Sequence, residues 1–439
     1  MSLASRSNVP TRRSFLASML AAGTAPLVLP GRLFSQTAPS RQLTLGCIGL
    51  GGQGMGVNMK QFLSEDDCRI VAVCDVFRER TQKAADTVNQ YYGTAGCRRV
   101  DDFRAIISDP SIDAVVISTP DHWHVPMSLL ALAAGKHVFC EKPTYTIGEG
   151  RDLINAVKRS GLVFQGGIED RSVAHYHRII EWVRNGAIGD LYHVDVTLPA
   201  GMLHPQEPES PVPAGLNWNL WLGPAPSHAY TETRTQAMHW RFIRDYSTGM
   251  LTDWGTHLVD TAQLAVNDPL VTPVDVRAWG EPVPENMQSN IPARFDVHYR
   301  YGNGMTLRVR SGEGGESLGR QVSLRLLGSK GWIAINGWRG QFSASDPAIL
   351  RLKYRPEESR YIPLPPSEQR NFLDCVRSRA KPTYDVETLH HLCVTLHAGL
   401  IAMDLGRPLR WDHANETFGA DIEANQRLHV KPRADWQSG

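Results

Sequence analysis

Several familiar signals are missing from this sequence. Its seven cysteines are an odd number, and none stands at C-x-x-C or C-x-x-H spacing. That argues against a disulfide framework and against a zinc site, so no metal is expected. Cys47, Cys74 and Cys140 fall in apolar runs and read as buried thiols. An excess of either charge is also missing, with 46 basic residues against 45 acidic ones, so nucleic acid is not an expected partner. Long hydrophobic runs are lacking too. The segment from Leu16 to Pro30 is too short and too interrupted to cross a bilayer, and no later stretch could do so. No membrane span is expected, and the mature chain should be soluble.

What is present is enough chain, at 439 residues, for two domains with sizeable cores. The most informative stretch runs from Leu43 to Asp75. An apolar strand (Leu43 to Ile48) leads into Gly49-Leu50-Gly51-Gly52-Gln53-Gly54 and a helix-compatible segment through Phe62, and a second apolar strand (Ile70 to Cys74) stops at Asp75. Glycines at G-x-G-x-x-G spacing between strand and helix, with a carboxylate about twenty residues on, form a dinucleotide-binding fingerprint. Gly49 permits the tight turn, Gly51 lets the backbone approach a pyrophosphate, and Gly54 lets the helix lie close to its strand. The unpaired N–H groups of the helix start, at its positive dipole end, face the phosphates. Asp75 should accept hydrogen bonds from the adenosine ribose and repel a 2′-phosphate. This favours NAD, while Arg78 nearby keeps NADP open.

Residues 1–38 read as an address rather than as structure. Thr11-Arg12-Arg13-Ser14-Phe15-Leu16 followed by a modestly apolar run matches a twin-arginine export signal, with small residues at Ser35 and Thr37 placing cleavage near Thr37 or Ala38. A periplasmic or otherwise exported destination is expected. Because that route carries folded proteins, NAD bound in the cytoplasm would travel with the chain. Free NADH has no obvious recycling partner outside, so a tightly held cofactor, restored within each cycle or by a second substrate, is expected.

From Leu43 to about Gly166 the βα alternation continues, giving an expected doubly wound parallel sheet over 39–166. Val115 to Ser118 is a buried-strand run that ends at Thr119-Pro120-Asp121-His122-Trp123-His124. A helix from Pro126 to Ala134 leads to the strand His137 to Cys140, which ends at Glu141-Lys142-Pro143, and Val163-Phe164-Gln165 is a further strand candidate. Loops after the carboxyl ends of parallel strands line the ligand crevice, so these loops should converge on the nicotinamide end.

The glycine fingerprint, the Thr119 to His124 and Gly135 to Pro143 segments, and Gly249-Met250-Leu251-Thr252-Asp253-Trp254-Gly255-Thr256-His257 together resemble the glucose-fructose oxidoreductase / inositol dehydrogenase / rhizopine catabolism family from about Leu43 to the C-terminus. The resemblance implies a Rossmann domain followed by an α/β domain with a large, mostly antiparallel sheet, and reversible oxidation of a sugar or cyclitol hydroxyl. It assigns Lys142, Asp253 and His257 to catalysis. The cofactor-binding candidates are Gly49, Gly51, Gly52, Gln53, Gly54, Asp75, Thr119, Pro120, Asp121, His124, Glu141 and Lys142; the substrate-binding candidates are Trp123, Arg171, Trp240 and Tyr246. His122, Trp123 and His124 are read as contacts to cofactor or substrate, since no carboxylate or cysteine cluster completes a zinc set.

Residues 167–439 agree with that architecture on their own terms. A helix from Val173 to Asn185 closes at Gly186. Strand candidates follow at 192–198, 274–279, 295–301, 305–309, 322–327 and 332–335, with turns such as Gly302-Asn303-Gly304. Consecutive strands on short turns imply antiparallel pairing. The uncovered sheet face is a candidate surface for a homodimer or homotetramer. Pro199 to Pro226 is too long for an ordinary connection and reads as an ordered active-site loop, with Trp218 and Trp221 either stacking on a sugar ring or packing in the core. The last helix, about 386–405, carries His390, His391 and His397, which read as packed or surface residues rather than ligands.

Oxidising a secondary alcohol needs a base for the hydroxyl proton and an electropositive partner for the developing alkoxide. Asp253 and His257, four apart in a helix-compatible stretch, should share one face, unless they form a structural cap. Lys142 comes from the loop over the nicotinamide. Three functions compete: an exported NAD(P)-dependent sugar or glycoside dehydrogenase, an NAD-dependent glycosidase that oxidises a ring hydroxyl transiently, and a non-catalytic nucleotide- or sugar-binding module. The best-known glycosidase relatives lack a lysine where this chain has Lys142, and the complete Lys, Asp and His set disfavours a mere binding module.

Overall fold

The structure, a computed structural model, describes residues 42–266, 271–314, 317–355, 357 and 360–436. The export signal expected over 1–38 lies outside them. Among the described residues no helix is long and apolar enough to cross a membrane.

The first half forms a six-stranded sheet from β1 (Leu43–Ile48), β2 (Cys68–Cys74), β3 (Arg98–Val100), β4 (Ala114–Ile117), β5 (His137–Glu141) and β6 (Phe164–Gly167). Every pair is parallel, and the order is β3-β2-β1-β4-β5-β6. The apolar runs have their cause here: all four residues of β4 and all four of β6 are buried, as strands covered on both faces must be. The order reverses between β1 and β4, which places a crevice at the carboxyl ends of those strands.

The fingerprint helix starts at Gly52 and Gln53, is π-helical over Gly54–Met59 and ends in the α-helical turn Lys60–Leu63. Wide turns of this kind are concentrated at functional sites, and no side-chain cap holds the start of this one.

The second half builds an eight-stranded sheet from β7 (Leu191–Leu198), β8 (Asp275–Gly280), β9 (Phe295–Arg300), β10 (Thr306–Ser311), β11 (Ser323–Gly328), β12 (Gly331–Asn336), β13 (Gln341–Ala344) and β14 (Leu409–Arg410). Its order is β13-β12-β11-β7-β10-β9-β8-β14. Its consecutive neighbours pair antiparallel, and the one parallel seam is between β7 and β10, where β7 lies between β10 and β11. Sequence reading missed β13 and β14, the short edge strands. On one face Val194, Val196, Leu307, Val309, Val297 and Leu324 are buried; on the other, Asp195, Arg308, Asp296 and Arg277 follow the period-two alternation of a sheet with one wet side.

The helix Val386–Leu405 runs through the middle of the molecule. Asp385 caps its start by accepting from the Glu387 and Thr388 N–H groups, and Gly406, at φ 61°, ends it. Its histidines are packing residues: His390 and His397 are buried, and His397 Nε2 lies 2.7 Å from the Thr144 carbonyl oxygen.

β6 extends through Gly167, and the helix Glu368–Ser378, late in the chain, returns to the first sheet. Phe372 from that helix meets Phe62 and Phe139 edge-on, at 6.1 and 5.8 Å between centroids. Its apolar stripe closes the core that Leu45, Met59 and Phe62 begin.

Candidate active site

A cavity of about 360 Å³ lies at the carboxyl edge of the six-stranded sheet. One wall is the glycine turn with Asp75; another carries Lys142, Asp253 and His257. Gly49, at φ +85°, takes a backbone conformation that side chains resist, and a Cβ there would sit 2.5 Å from the Ser118 carbonyl oxygen. A Cβ on Gly54 would lie 2.0 Å from the Gly49 oxygen, whereas one on Gly51 or Gly52 would meet nothing within 4 Å. The first pair of glycines therefore serves the turn itself, and the second pair leaves an open cradle.

At the β2 end, Asp75 accepts from the Leu50 N–H (2.7 Å) and the Phe77 N–H (2.9 Å). Burial raises its carboxyl above the ordinary value, opposed by Arg80 and by those N–H groups. The cation beside it is Arg80, 3.8 Å away and stacked over the Phe77 ring at 4.0 Å. Arg78, the residue expected there, is exposed and does not line the cavity.

On the chemical wall, Lys142 Nζ donates to the Asp253 carboxylate and to the Asp253 carbonyl oxygen, both at 2.9 Å. Arg241 Nε holds the other carboxylate oxygen at 3.2 Å. Burial alone would raise the Asp253 carboxyl, but Lys142 and Arg241 hold it well below the usual carboxylate range. Asp253 and His257 both line this cavity. The stretch breaks at Trp254 into two helices, Met250–Asp253 and Gly255–Ala265, and the two side chains take different partners. His257 Nδ1 lies 2.9 Å from the carboxylate of Asp170, which also accepts from Trp338 Nε1 at 3.2 Å. Trp254 and Trp338 flank the imidazole at 5.5 and 6.0 Å.

Asp170 was not anticipated. It stands in the turn Glu169–Ser172, immediately after β6. The rule that loops after the carboxyl ends of parallel strands line the crevice covers this turn, although no residue type there singled out Asp170.

The remaining cofactor candidates gather on the same cavity. Gln53, Thr119, Pro120, Asp121, His124 and Glu141 all line it, while Gly54 stands behind the turn. Glu141 accepts from Gln53 (3.1 Å) and from Asn58 (2.8 Å), the latter a buried asparagine that sequence reading passed over. Asp121 is 3% exposed and accepts from Ser247 Oγ at 2.6 Å. Burial, with the Asp253 carboxylate nearby, pushes its carboxyl up to about 7. The ring nitrogens of His124 face the Pro143 and Thr119 carbonyl oxygens, both at 2.9 Å, and those of His122 face the Tyr246 and Trp221 carbonyl oxygens at 3.3 Å.

The substrate candidates divide. Trp123 and Trp240 line the cavity; Arg171 and Tyr246 do not. Arg171 is buried in an ion pair with Asp260, donates to the Thr383 carbonyl oxygen and lies over the Tyr384 ring, which leaves its guanidinium nothing to offer a ligand. Tyr246 is fully buried, edge-on to Trp221 at 4.7 Å, with its hydroxyl 3.3 Å from Arg234. Both are corrected to scaffold. Trp218 and Trp221 stack on each other at 5.0 Å, so core packing accounts for most of their surface, although Trp221 also reaches the cavity wall.

The cavity suits a dinucleotide. The open cradle at Gly51 and Gly52 leaves room for a pyrophosphate. Two buried polar atoms on its wall, Thr119 Oγ1 and a Glu368 carboxyl oxygen, find no partner among the described residues. Also among the described residues, no group of three histidine, cysteine or acidic side chains is placed to hold a metal ion.

Comparison with known proteins gives the same picture. Residues 43–168 match the oxidoreductase family's NAD-binding Rossmann fold, and residues 201–438 match its C-terminal alpha/beta domain. D-glucoside 3-dehydrogenase of Escherichia coli is 30% identical over 154 residues, covering 35% of this chain and 42% of that protein. Glycosyl hydrolase family 109 protein 2 of Shewanella sp. (strain ANA-3) is 29% identical over 184 residues, covering 39% of each. The match thus spans less than half the length of these curated relatives. Among solved structures, the WlbA dehydrogenase from Bordetella pertussis in complex with NADH and UDP-GlcNAcA shares the fold, with a TM-score of 0.63, 17% identity and coverage of 85% of this chain and 99% of that one. The chain belongs to the glucose-fructose oxidoreductase / inositol dehydrogenase / rhizopine catabolism family of oxidoreductases, with an NAD-binding Rossmann domain followed by a C-terminal alpha/beta domain.

Proposed function

We propose that the protein is an exported, NAD-dependent dehydrogenase that oxidises a secondary hydroxyl of a sugar, glycoside or cyclitol and keeps its nucleotide tightly bound. One observation carries the reading: two carboxylate-backed groups, Lys142 on Asp253 and His257 on Asp170, stand on the wall of a cavity whose other end is a dinucleotide cradle. A nucleotide held by the cradle at Gly51 and Gly52 would supply the acceptor for the hydride of the carbinol carbon. With its Nδ1–H directed to Asp170, His257 keeps a lone pair on Nε2 and takes the hydroxyl proton there. Lys142, fixed by Asp253, donates to the oxygen as negative charge develops on it. Trp123 and Trp240 offer apolar surface to a ring face.

The D-glucoside 3-dehydrogenase similarity supports a glycoside substrate. The glycosyl hydrolase similarity supports the second reading, transient oxidation followed by elimination of an aglycone, which needs no external oxidant. Lys142 weighs for net oxidation. Arg12-Arg13 supports export of the folded holoprotein. The open face of the eight-stranded sheet, on which Trp279 is 56% exposed, is offered as the surface of a homo-oligomer.

The test is single-turnover reduction of bound NAD by a panel of glycosides, with mass spectrometry of the products. Keto-sugars support net oxidation, and released aglycone supports the glycosidase. Lys142→Met and His257→Ala should each slow the step by about two to four orders of magnitude with nucleotide binding nearly intact. Unchanged rates in both variants would remove the mechanism.

A further inference from the structure

Glu368 is the one carboxyl on the cavity wall that the mechanism leaves unused and unsatisfied. It is the first residue of the helix Glu368–Ser378, and it is 6% exposed. One carboxyl oxygen accepts from Gln369 Nε2 at 3.1 Å; the other is buried with no partner among the described residues. A buried carboxyl oxygen without a partner is costly unless something else occupies its hydrogen-bonding direction.

Two contacts tie Glu368 to the cofactor-binding sheet, and the residue lines the same cavity as Lys142. The Glu368 carbonyl oxygen accepts from Gln165 of β6 at 2.8 Å, which ties the residue to the edge of the sheet away from Asp75. Its neighbour Gln369 donates to Asn58 of the fingerprint helix at 3.2 Å, and Asn58 in turn holds Glu141. The groups proposed to touch substrate, Lys142, Asp253 and His257, come from other elements. Glu368 is therefore anchored to the cofactor-binding half although it lies some two hundred residues further along the chain.

Burial, and then the charges of Glu141, Glu169 and Asp170, raise its carboxyl well above the ordinary value, which favours the protonated acid. A neutral acid among carboxylates donates a hydrogen bond where each of its neighbours can only accept.

Building on the dehydrogenase reading above, we propose that Glu368 is a cofactor-positioning residue whose buried carboxylic acid donates a hydrogen bond to the carboxamide carbonyl of the bound nicotinamide. It would thereby set which ring face meets the substrate. No bond is made or broken; the acid keeps its proton throughout.

The experiment compares two ligands on the charcoal-stripped full chain by calorimetry at neutral pH: NAD, and ADP-ribose, which lacks the nicotinamide. Glu368→Leu should weaken NAD binding about tenfold and leave ADP-ribose within about twofold, the weight of one hydrogen bond to a buried group. Glu368→Gln, whose amide can still donate, should bind NAD within about threefold of the unaltered chain. 3-Acetylpyridine adenine dinucleotide, which keeps the carbonyl and replaces the amide nitrogen by a methyl group, should bind the unaltered chain about as well as NAD does. Equal weakening of NAD and ADP-ribose in Glu368→Leu would reveal a merely structural role and overturn the proposal. So would a rise in sugar KM with NAD affinity unchanged. If the unaltered chain binds neither ligand, it is the dehydrogenase reading that falls, a result distinct from the other two.

Discussion

Replacing Asp170 with asparagine is the most informative perturbation of the proposed mechanism, because it alters charge at nearly constant shape. The Asp170 side chain is almost fully buried and lies 2.9 Å from His257 Nδ1. When His257 takes the hydroxyl proton it becomes a cation beside that carboxylate. At an effective dielectric of about 20, unit charges about 4 Å apart attract by about 4 kcal/mol. Asparagine would retain a neutral hydrogen bond of about 1 kcal/mol. The net loss of about 3 kcal/mol corresponds to roughly two powers of ten in the rate of the chemical step. The assay is stopped-flow reduction of bound NAD in a single turnover, beside a melting curve and an NAD titration. A rate within about threefold of the unaltered protein would refute the pairing as a source of rate, and would leave Asp170 a scaffold for Trp338 and Arg339.

Other expectations follow from the same geometry. Arg171→Ala should cost about 3–5 kcal/mol of stability, because it strands Asp260 as an unpaired buried charge, yet the folded fraction should keep the sugar KM of the unaltered protein; urea titration beside steady-state kinetics checks both. Gly51→Val should abolish nucleotide binding with little change in melting temperature, since its side chain enters open space, whereas Gly54→Ala should lower the melting temperature because its Cβ would overlap the Gly49 carbonyl oxygen. Asp121, with its folded value raised to about 7, holds a proton that the unfolded chain has already released near its ordinary 3.8. Its contribution to stability is therefore fully present at low pH and declines as pH rises through about 7. Asp121→Asn should flatten that decline, which urea midpoints of nucleotide-free protein at about pH 5 and about pH 8 would show.

The sequence by itself determined the parts whose signals are local. Apolar runs of strand length bounded by glycine, the G-x-G-x-x-G spacing with Asp75 after it, and the caps of the helices are each read within a few residues of one another. Each reflects backbone physics that acts at that range, so the doubly wound sheet, the alternating outer sheet and the dinucleotide cradle were all legible. Tertiary structure alone decided the partnerships. Lys142 and Asp253 lie 111 residues apart, and Asp170 and His257 lie 87 apart. No periodicity records that the turn after β6 would deliver a carboxylate to one imidazole while Asp253, four residues before His257, turned to a lysine. Trp254, between those two residues, packs edge-on against Trp338 from beyond β12, at 5.6 Å between centroids. For the same reason Arg171 and Tyr246, polar residues plausible for a ligand when read along the chain, are committed to Asp260 and Trp221. The helix Glu368–Ser378 likewise joins the first sheet, because its apolar stripe of Phe372, Leu373 and Val376 fits the side of that sheet left uncovered behind Phe62 and Phe139. Propensity and spacing set what each segment becomes; which segments meet is set by burying complementary surfaces, and that information is spread over the whole chain.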